Sequence, residues 1–445
     1  MTTLAERLRG VVGPAQAGPH GSETPDDRGG RLSASAEASA GPRRSAEREG
    51  GQPAHVDAVA ETLGGEWRDV RGHRYLVVNR TYAPGYRHGH VAVMDALPPW
   101  PRFHLIAGAE AAALHAAHPR PLLFLDLETT GLAGGAGTYA FLIGLAWFDG
   151  AVFRTRQFFL SNYTAERALL EGAAGDAASA GAVVTYNGKS FDLPLIETRF
   201  VLHRMATPFG ALPHVDMLHP ARRLWRPDEE AVPGGCCLTM LEETLCGHRR
   251  DGDVPAFEIP SRYFQYVHTG DARPLAGVFE HNRLDLLALA LITAHASQLL
   301  DEGPTAAQTA REALGLGRLY ERAGMTVQAS GCYTRALELP GEVPVKADAL
   351  RSYAVLSRRA RRFQDAAAAW RRVLELRRCP PAIAREAMEA LAVHHEHRAR
   401  DLREARRFAL QSLQFNITVS RQRAVQHRLA RLNRRLGAPI AMPLF

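Results

Sequence analysis

The central part of the chain alternates between short apolar runs and longer amphipathic stretches. The runs at 121–128, 138–148 and 152–160 are separated by glycines, and Asp149-Gly150 is a dipeptide typical of a tight hairpin turn. They predict three consecutive antiparallel strands. Residues 164–178 predict a helix, 182–187 a short buried strand, and the residues after Asp192 an amphipathic helix. This order predicts an α/β domain in which helices cover a sheet.

The flanking segments have other patterns. Residues 1–55 are small and polar without periodicity, which predicts a disordered low-complexity N-terminus. Two alternating runs around Gly72 predict a small β-rich lead-in over 56–118. The α/β domain is expected over 119–301, and the periodicity is helical throughout 305–437.

This helical part contains a loose internal repeat of small and aromatic residues. Equivalent alanines, Ala329, Ala366 and Ala405, lie 37 and 39 residues apart. The first unit has the spacing of a tetratricopeptide unit, in which small residues let two helices approach closely. Its characteristic positions are Leu316, Gly317, Tyr320, Ala329, Tyr333 and Ala336. The region therefore resembles a short, degenerate tetratricopeptide array that ends in a basic helix at 420–436.

Composition narrows the class of protein. With 46% apolar and 23% charged residues the chain is expected to be a soluble globular protein, and its five cysteines are too few for a disulfide scaffold. The first residues lack the apolar run of a signal peptide, and no segment approaches the ~20 apolar residues of a membrane span. A cytoplasmic location is the expectation. The charge of +7 divides into −5 for residues 1–300 and +12 for 301–445, which permits contact with a polyanion through the C-terminal part.

Acidic residues recur where the predicted strands and helices begin or end. Asp126 and Glu128 lie two apart on one strand and so share a face. Asp192 stands at a strand-to-helix junction, and His281 lies one turn before Asp285 on a helix. Each has an ordinary structural interpretation: a turn, an N-cap worth ~1 kcal/mol, or a surface ion pair. A buried pair of acids without compensation is costly, and a hard divalent cation resolves that conflict.

Together, the segments D-L-E-T-T-G, N-G-K-S-F-D and H-N-R-L-D occur in the order and approximate spacing of three motifs of the RNase H-like 3′–5′ exonucleases called DEDD. Residues 119–300 resemble that superfamily, and more specifically the bacterial RNase H-like domain proteins that carry C-terminal tetratricopeptide repeats. The second motif most resembles the exonuclease domains of family B DNA polymerases. The resemblance implies an RNase H-like mixed sheet flanked by helices, followed by an all-α repeat domain.

The same resemblance implies a metal-dependent nuclease that hydrolyses phosphodiester bonds, most simply a 3′–5′ exonuclease on single-stranded DNA or RNA. Two Mg²⁺ or Mn²⁺ ions ~3.5–4 Å apart would act together. Asp126 would bridge them, Glu128 and Asp285 would complete one ion, and Asp192 would reach the other. His281 would be the general base. The implied nucleic-acid contacts are Thr129, Asn187, Lys189 and Asn282.

One feature departs from the family pattern, and two other functions stay open. Three residues separate His281 from Asp285, the spacing of the branch that uses tyrosine, whereas the histidine branch has four. A catalytically weak nucleic-acid-binding or scaffold protein, acting with a protein partner through the repeats, is one alternative. A structure-specific endonuclease is the other.

Further residues have weaker signals. Asp216 resembles a family position that shapes the groove, and Trp225 among basic residues 222–226 offers a stacking surface with phosphate contacts, or a solvated helix face. A zinc site would have to use Cys236, Cys237, Cys246 and His248. Because no C-x-x-C pair is present, these cysteines are expected to pack as small hydrophobic residues.

Overall fold

The computed structural model describes residues 53–107, 120–131, 137–226, 236–415 and 418–437. The N-terminal segment predicted to be disordered lies outside the described residues, apart from its last three positions. Residues Gly51–Phe445 form one compact unit.

Nine strands make up the described β-structure. Seven of them form one mixed sheet in the order β1-β2-β7-β6-β5-β8-β9, and the other two form a small hairpin, β3-β4. In chain order they are β1 Glu66–Val70, β2 His73–Tyr82, β3 Arg87–His88, β4 Val91–Ala92, β5 Leu122–Thr129, β6 Ala140–Asp149, β7 Val152–Phe159, β8 Ala182–Thr185 and β9 His214–Asp216.

The predicted antiparallel trio is confirmed, because β5 pairs with β6 and β6 pairs with β7, both antiparallel. The trio's tight turn lies one residue further along than predicted: Asp149 still pairs with Val152, and Gly150 takes the positive φ of 58° that the turn requires. On its other side β5 pairs in parallel with β8, and β8 pairs in parallel with β9. The expectation of an RNase H-like mixed sheet flanked by helices therefore holds.

The β-rich lead-in differs from the prediction in one respect. Its two longer strands, β1 and β2, are not a separate element but continue the main sheet, because β2 pairs along its length with β7. The alternating pattern predicts the strands themselves, but the partner strand of β2 lies about 80 residues further along the chain. Alternation within one strand carries no information about such a distant partner.

The described helices cover the sheet and then continue alone to the C-terminal part. In chain order they are α1 Pro53–Leu63, α2 His104–Ala107, α3 Glu166–Ala177, α4 Asp192–Leu202, α5 Leu218–Trp225, α6 Leu238–Leu241, α7 Ile259–Thr269, α8 Ala276–Glu302, α9 Ala310–Arg322, α10 Thr326–Glu338, α11 Val343–Arg359, α12 Phe363–Glu375, α13 Pro381–His394, α14 Leu402–Ser412 and α15 Val419–Leu436.

The long helix α8 is the central packing element. By length and composition it passes as a candidate membrane span, although the sequence reading found no such segment, but 78% of its most apolar stretch is buried within the protein. Its leucines and alanines pack against the sheet and also against α9 and α10. Burial on nearly all sides is typical of the core helix of a globular protein.

The C-terminal helices pack in successive pairs and share a core with the sheet. Gly317 of α9 leaves room for the Tyr333 ring of α10, since a Cβ there would lie 2.6 Å from that ring. Gly315 lets α9 approach α5 closely, because a Cβ would lie 2.3 Å from the carbonyl oxygen of Arg223. The Trp225 indole donates a hydrogen bond to Glu312 at 2.9 Å. These contacts bind the helical region to the sheet layer.

Candidate functional site

The first acids of the site lie on the central strand β5. Asp126 and Glu128 share one face of the strand, while Leu125 and Leu127 face the core on the other side. The pairing of β5 with β6 shifts register between Glu128 and Thr129, so the strand bends just after the second acid. The Thr129 hydroxyl donates to the carbonyl oxygen of Gly131 at 2.9 Å and stabilises the turn.

A buried amide holds Asp126 in place. Asn282 of α8 donates a hydrogen bond to Asp126 Oδ2 at 2.7 Å and accepts one from Gln157 at 2.8 Å. Gly144, opposite Asp126 on β6, makes this possible, because a Cβ there would lie 2.3 Å from Asn282 Oδ1. The suggestion that Asn282 contacts nucleic acid is therefore wrong. Asn282 is fully buried, and its amide positions a carboxylate.

Asp192 begins helix α4 immediately after β8 and its loop. It is not the N-cap: that position is Phe191, which makes no side-chain capping bond. Backbone N–H groups of Asp192 itself and of Leu127 on β5 stabilise its carboxylate. Asp192 therefore lies beside the strand that carries Asp126 and Glu128.

Asp216 shapes the loop that leads to Asp192. Its carboxylate accepts hydrogen bonds from the backbone N–H groups of Asn187 at 2.8 Å, Lys189 at 3.1 Å and Leu218 at 3.0 Å. Asn187 has a positive φ of 67°, which asparagine adopts more readily than most residues. The loop is thus built around the half-buried carboxylate of Asp216, and the Lys189 side chain lies on the exposed part of the loop.

His281 and Asp285 occupy one face of α8 as their spacing predicts. His281 Nε2 lies 3.6 Å from Asp285 Oδ2. The other ring nitrogen, Nδ1, lies 2.8 Å from Asp253 Oδ1. Burial opposes ionisation of Asp253, but the hydrogen bond and charge of His281 bring its pKa below the ordinary value. Asp253 was not found from the sequence, because it lies on an irregular loop with no motif.

Arg250 is the second residue that sequence reasoning missed. Its guanidinium pairs with Asp285 at 2.6 Å, with Glu242 at 2.5 Å and with Asp253 at 3.3 Å. Burial alone would lower the pKa of Arg250, but Asp285 and Glu242 raise it above its ordinary value. The only sequence signal is a charged cluster, R-R-D-G-D, at 249–253.

The remaining acids lie in strongly unfavourable surroundings for a negative charge. Burial, together with Asp285 and Asp192, raises the pKa of Asp126 well above its ordinary value. Burial and the other acids do the same for Glu128. Burial raises the pKa of Asp192 to about 7, with smaller contributions from Asp216 and Asp285. The four acids therefore converge on one region, as the motif interpretation requires.

These acids fit a divalent cation by their chemistry. Within the described residues no hydrogen-bond donor reaches the Glu128 carboxylate, and like charges that repel each other are relieved by a hard cation with oxygen ligands. No three of the four acids have ligand atoms that all lie within 4.8 Å of one another. Their carboxylate oxygens are therefore spaced more widely than the ligands around a bound ion. Wide spacing is what mutual repulsion produces.

A cleft opens beside these acids. Glu128 and Asp192 line it together with apolar side chains of α4 and α7, among them Leu195 and Ile259. Phe191 stands at this cleft with 55% of its surface exposed. An exposed aromatic ring beside buried carboxylates can stack on a flat ligand such as a nucleobase.

The weaker sequence candidates have structural roles. Trp225 is half-buried and its indole N–H is bonded to Glu312 of α9, and its role as a stacking surface stays a prediction. Cys236 and Cys246 are buried, as expected for small hydrophobic residues, but Cys237 is exposed, and for Cys237 the expectation is wrong. In the part of the chain that the structure describes, His248 groups instead with His88 and Glu242, and their ligand atoms all lie within 4.8 Å of one another. His88 and Glu242 already form a buried hydrogen bond of 2.6 Å.

Comparisons with known proteins found a family model, a relative and a solved structure that are similar to parts of this chain. A family model described as the RNase H superfamily matches residues 123–297. A protein from Bacillus subtilis (strain 168), called "uncharacterized protein YprB", is 32% identical over 326 residues, which are 71% of this chain and 75% of that protein. A solved family B DNA polymerase from the hyperthermophilic archaeon Pyrobaculum calidifontis is 12% identical with a TM-score of 0.32. The match covers 55% of this chain and 30% of the polymerase.

Proposed function

The chain belongs to the RNase H superfamily, and from that membership we propose that it is a metal-dependent nuclease acting as a 3′–5′ exonuclease on single-stranded nucleic acid. One observation carries the proposal: β5, α4 and α8, from distant parts of the chain, bring Asp126, Glu128, Asp192 and Asp285 together. Such crowding of partly or fully buried acids is costly for stability. It is expected where a cation and a phosphodiester are to be bound.

The cation site is proposed at Asp126, Glu128 and Asp192. When bound there, a divalent ion would polarise the phosphodiester and lower the pKa of a water molecule. The two-ion arrangement implied by the sequence resemblance also needs Asp285 as a ligand, but the carboxylate of Asp285 is paired with Arg250. Asn282 keeps Asp126 oriented toward the other acids.

His281 is the proposed general base. In this role His281 is the neutral tautomer in which Nδ1–H donates to Asp253 Oδ1, and Nε2 carries the lone pair that takes the proton. A neutral imidazole can take a proton from water at physiological pH. Asp253 then fixes the tautomer and stabilises the imidazolium that forms, and no tyrosine is required.

The cleft supports a flexible single strand as substrate. A base freed from duplex stacking can lie on Phe191 while its phosphate reaches the acids, whereas a base within a duplex is already stacked. Lys189 is placed on the adjoining loop, where we propose that it contacts the backbone phosphate of DNA or RNA. Thr129 and Asn187 are proposed to line the same strand path.

The helical region is proposed to be a tetratricopeptide-like module for a protein or nucleic-acid partner. Support comes from the paired helices α9–α14 and from the close packing at Gly317, as in units that use small residues. The exposed arginines of α15 add positive charge at its end.

The test of the nuclease proposal is degradation of end-labelled oligonucleotides. With Mn²⁺, the full-length protein is expected to shorten 5′-labelled single-stranded DNA or RNA stepwise from the 3′ end, and Asp126→Asn is expected to abolish the ladder. Asp149→Asn is the matched control, because Asp149 is exposed on a distant turn. Equal ladders from wild type and Asp126→Asn would refute the site. Cutting of a circular substrate would favour the endonuclease, and absence of any cleavage would favour the scaffold.

A further inference from the structure

A buried positive charge lies within the acid cluster of the proposed site. The Arg250 side chain is only 5% exposed. Its Nη2 lies 2.6 Å from Asp285 Oδ1, its Nε 2.5 Å from Glu242 Oε2, and its Nη1 3.3 Å from Asp253 Oδ2. All three nitrogens of the guanidinium therefore face carboxylates.

This arrangement holds Arg250 firmly. A guanidinium stays protonated at any pH at which the protein folds, so the charge is permanent. Glu242 is completely buried and is held on its other oxygen by His88. Moving Arg250 away would separate the guanidinium from its carboxylates and leave one oxygen of the buried Glu242 without a partner, which is far more costly than breaking a surface ion pair.

One oxygen of Asp285 is consequently engaged by Arg250. Oδ1 pairs with Arg250, and Oδ2 lies 3.6 Å from His281 Nε2. Asp126, Glu128 and Asp192 differ from Asp285 in this respect, because within the described residues none of them forms an ion pair with an arginine, lysine or histidine. Of the four acids, Asp285 thus forms an ion pair with an arginine, and the other three acids do not.

We propose that Arg250 takes the place of the ion that Asp285 would otherwise hold, so that the site binds one divalent cation instead of two. The single ion binds to Asp126, Glu128 and Asp192. Arg250 supplies the second positive charge, fixed beside the position of the substrate phosphate, where its guanidinium can stabilise negative charge. The inference rests on the proposed nuclease function and changes its metal requirement.

The test counts Mn²⁺ bound to the full-length protein without substrate, by titration calorimetry and by electron paramagnetic resonance of free Mn²⁺. Wild type is expected to bind one ion per chain, and Asp126→Asn none. In Arg250→Gln, Asp285 becomes available and the count is expected to rise to two, with the spectrum of a coupled pair of Mn²⁺ ions. Arg250→Lys keeps the charge and is expected to bind one.

Arg262→Gln is the matched control, because Arg262 forms its ion pair with Glu258 on α7, and it is expected to bind one ion. Two ions in wild type would overturn the inference while leaving the metal-dependent nuclease intact. No ion in wild type, or an ion that persists in Asp126→Asn, would instead refute the proposed cation site. The number of Mn²⁺ ions bound by wild type tests the one-ion proposal even if Arg250→Gln does not fold.

Discussion

Replacement of Asp192 by asparagine is expected to stabilise the metal-free protein in a pH-dependent way. Asparagine keeps the size of the side chain and an oxygen that can accept from the Leu127 N–H, but it removes the charge. Burial raises the pKa of Asp192 from its ordinary 3.8 to about 7. A folded protein that holds this acid preferentially in its neutral form loses stability when the acid must ionise.

The sign and size follow from that pKa. Below about pH 4 Asp192 is protonated in both folded and unfolded chains, so wild type and variant are expected to be alike. As pH rises from about 4 to about 7, the unfolded chain ionises freely while the folded chain keeps Asp192 protonated, so wild type loses stability, and above about pH 7 the loss is complete. One pH unit of pKa corresponds to ~1.4 kcal/mol, which sets an upper limit of ~4 kcal/mol at pH 8.

The assay is urea unfolding followed by tryptophan fluorescence in EDTA, at pH 4.5 and pH 8. The free energy of unfolding of Asp192→Asn is expected to exceed that of wild type by ~3 kcal/mol at pH 8 and by ~1 kcal/mol at pH 4.5. Added Mn²⁺ at 1,000 times its Kd is expected to reverse the order, since that concentration stabilises wild type by ~4.1 kcal/mol. A variant that is less stable than wild type at both pH values in EDTA would refute the reasoning.

Three further changes test separate parts of the account. Gly144→Ala is expected to push Asn282 off Asp126, costing ~1–3 kcal/mol of unfolding free energy and lowering Mn²⁺ affinity in calorimetry. Phe191→Ala is expected to raise KM for a single-stranded oligonucleotide ~10-fold, with kcat little changed, because a stacking partner is lost. Arg421→Gln with Arg423→Gln is expected to lower the salt slope of single-strand binding by ~1.4, since two exposed phosphate contacts are removed.

Each of these changes has its control or contrary outcome. Gly175→Ala places a methyl group in open space on α3 and is expected to leave Mn²⁺ affinity unchanged. Phe264→Ala removes another exposed ring, outside the cleft, and is expected to leave KM unchanged. An equal rise in KM for both phenylalanine variants would contradict stacking at Phe191. An unchanged salt slope would leave the helical region as a protein-binding module only.

The sequence predicted the features that depend on local spacing. Alternation at Asp126 and Glu128 gives a shared face of a strand, and a separation of four positions from His281 to Asp285 gives a shared face of a helix. The glycine-separated runs gave the antiparallel trio of strands. These predictions needed only the geometry of one element, or of two elements joined by a tight turn.

The missed features depend on contacts between distant segments. Arg250 reaches Asp285 from a loop without periodicity, and Asp253 reaches His281 in the same way. The motif that contains Asn282 also contains the predicted catalytic residues, and from it Asn282 was predicted to contact nucleic acid. In the structure Asn282 instead points into the protein and packs against Gly144. A glycine within an apolar strand often indicates that another chain segment approaches the strand closely, and Gly144 is such a glycine.

The most direct measurement of the central claim is the anomalous diffraction of Mn²⁺ in crystals of the full-length protein. The account predicts an anomalous peak at ~2.1–2.2 Å from carboxylate oxygens of Asp126 and Glu128, near Asp192, and loss of that peak in Asp126→Asn. Crystals that hold Mn²⁺ only at His88, Glu242 and His248, or that show no peak among the four acids, would contradict it.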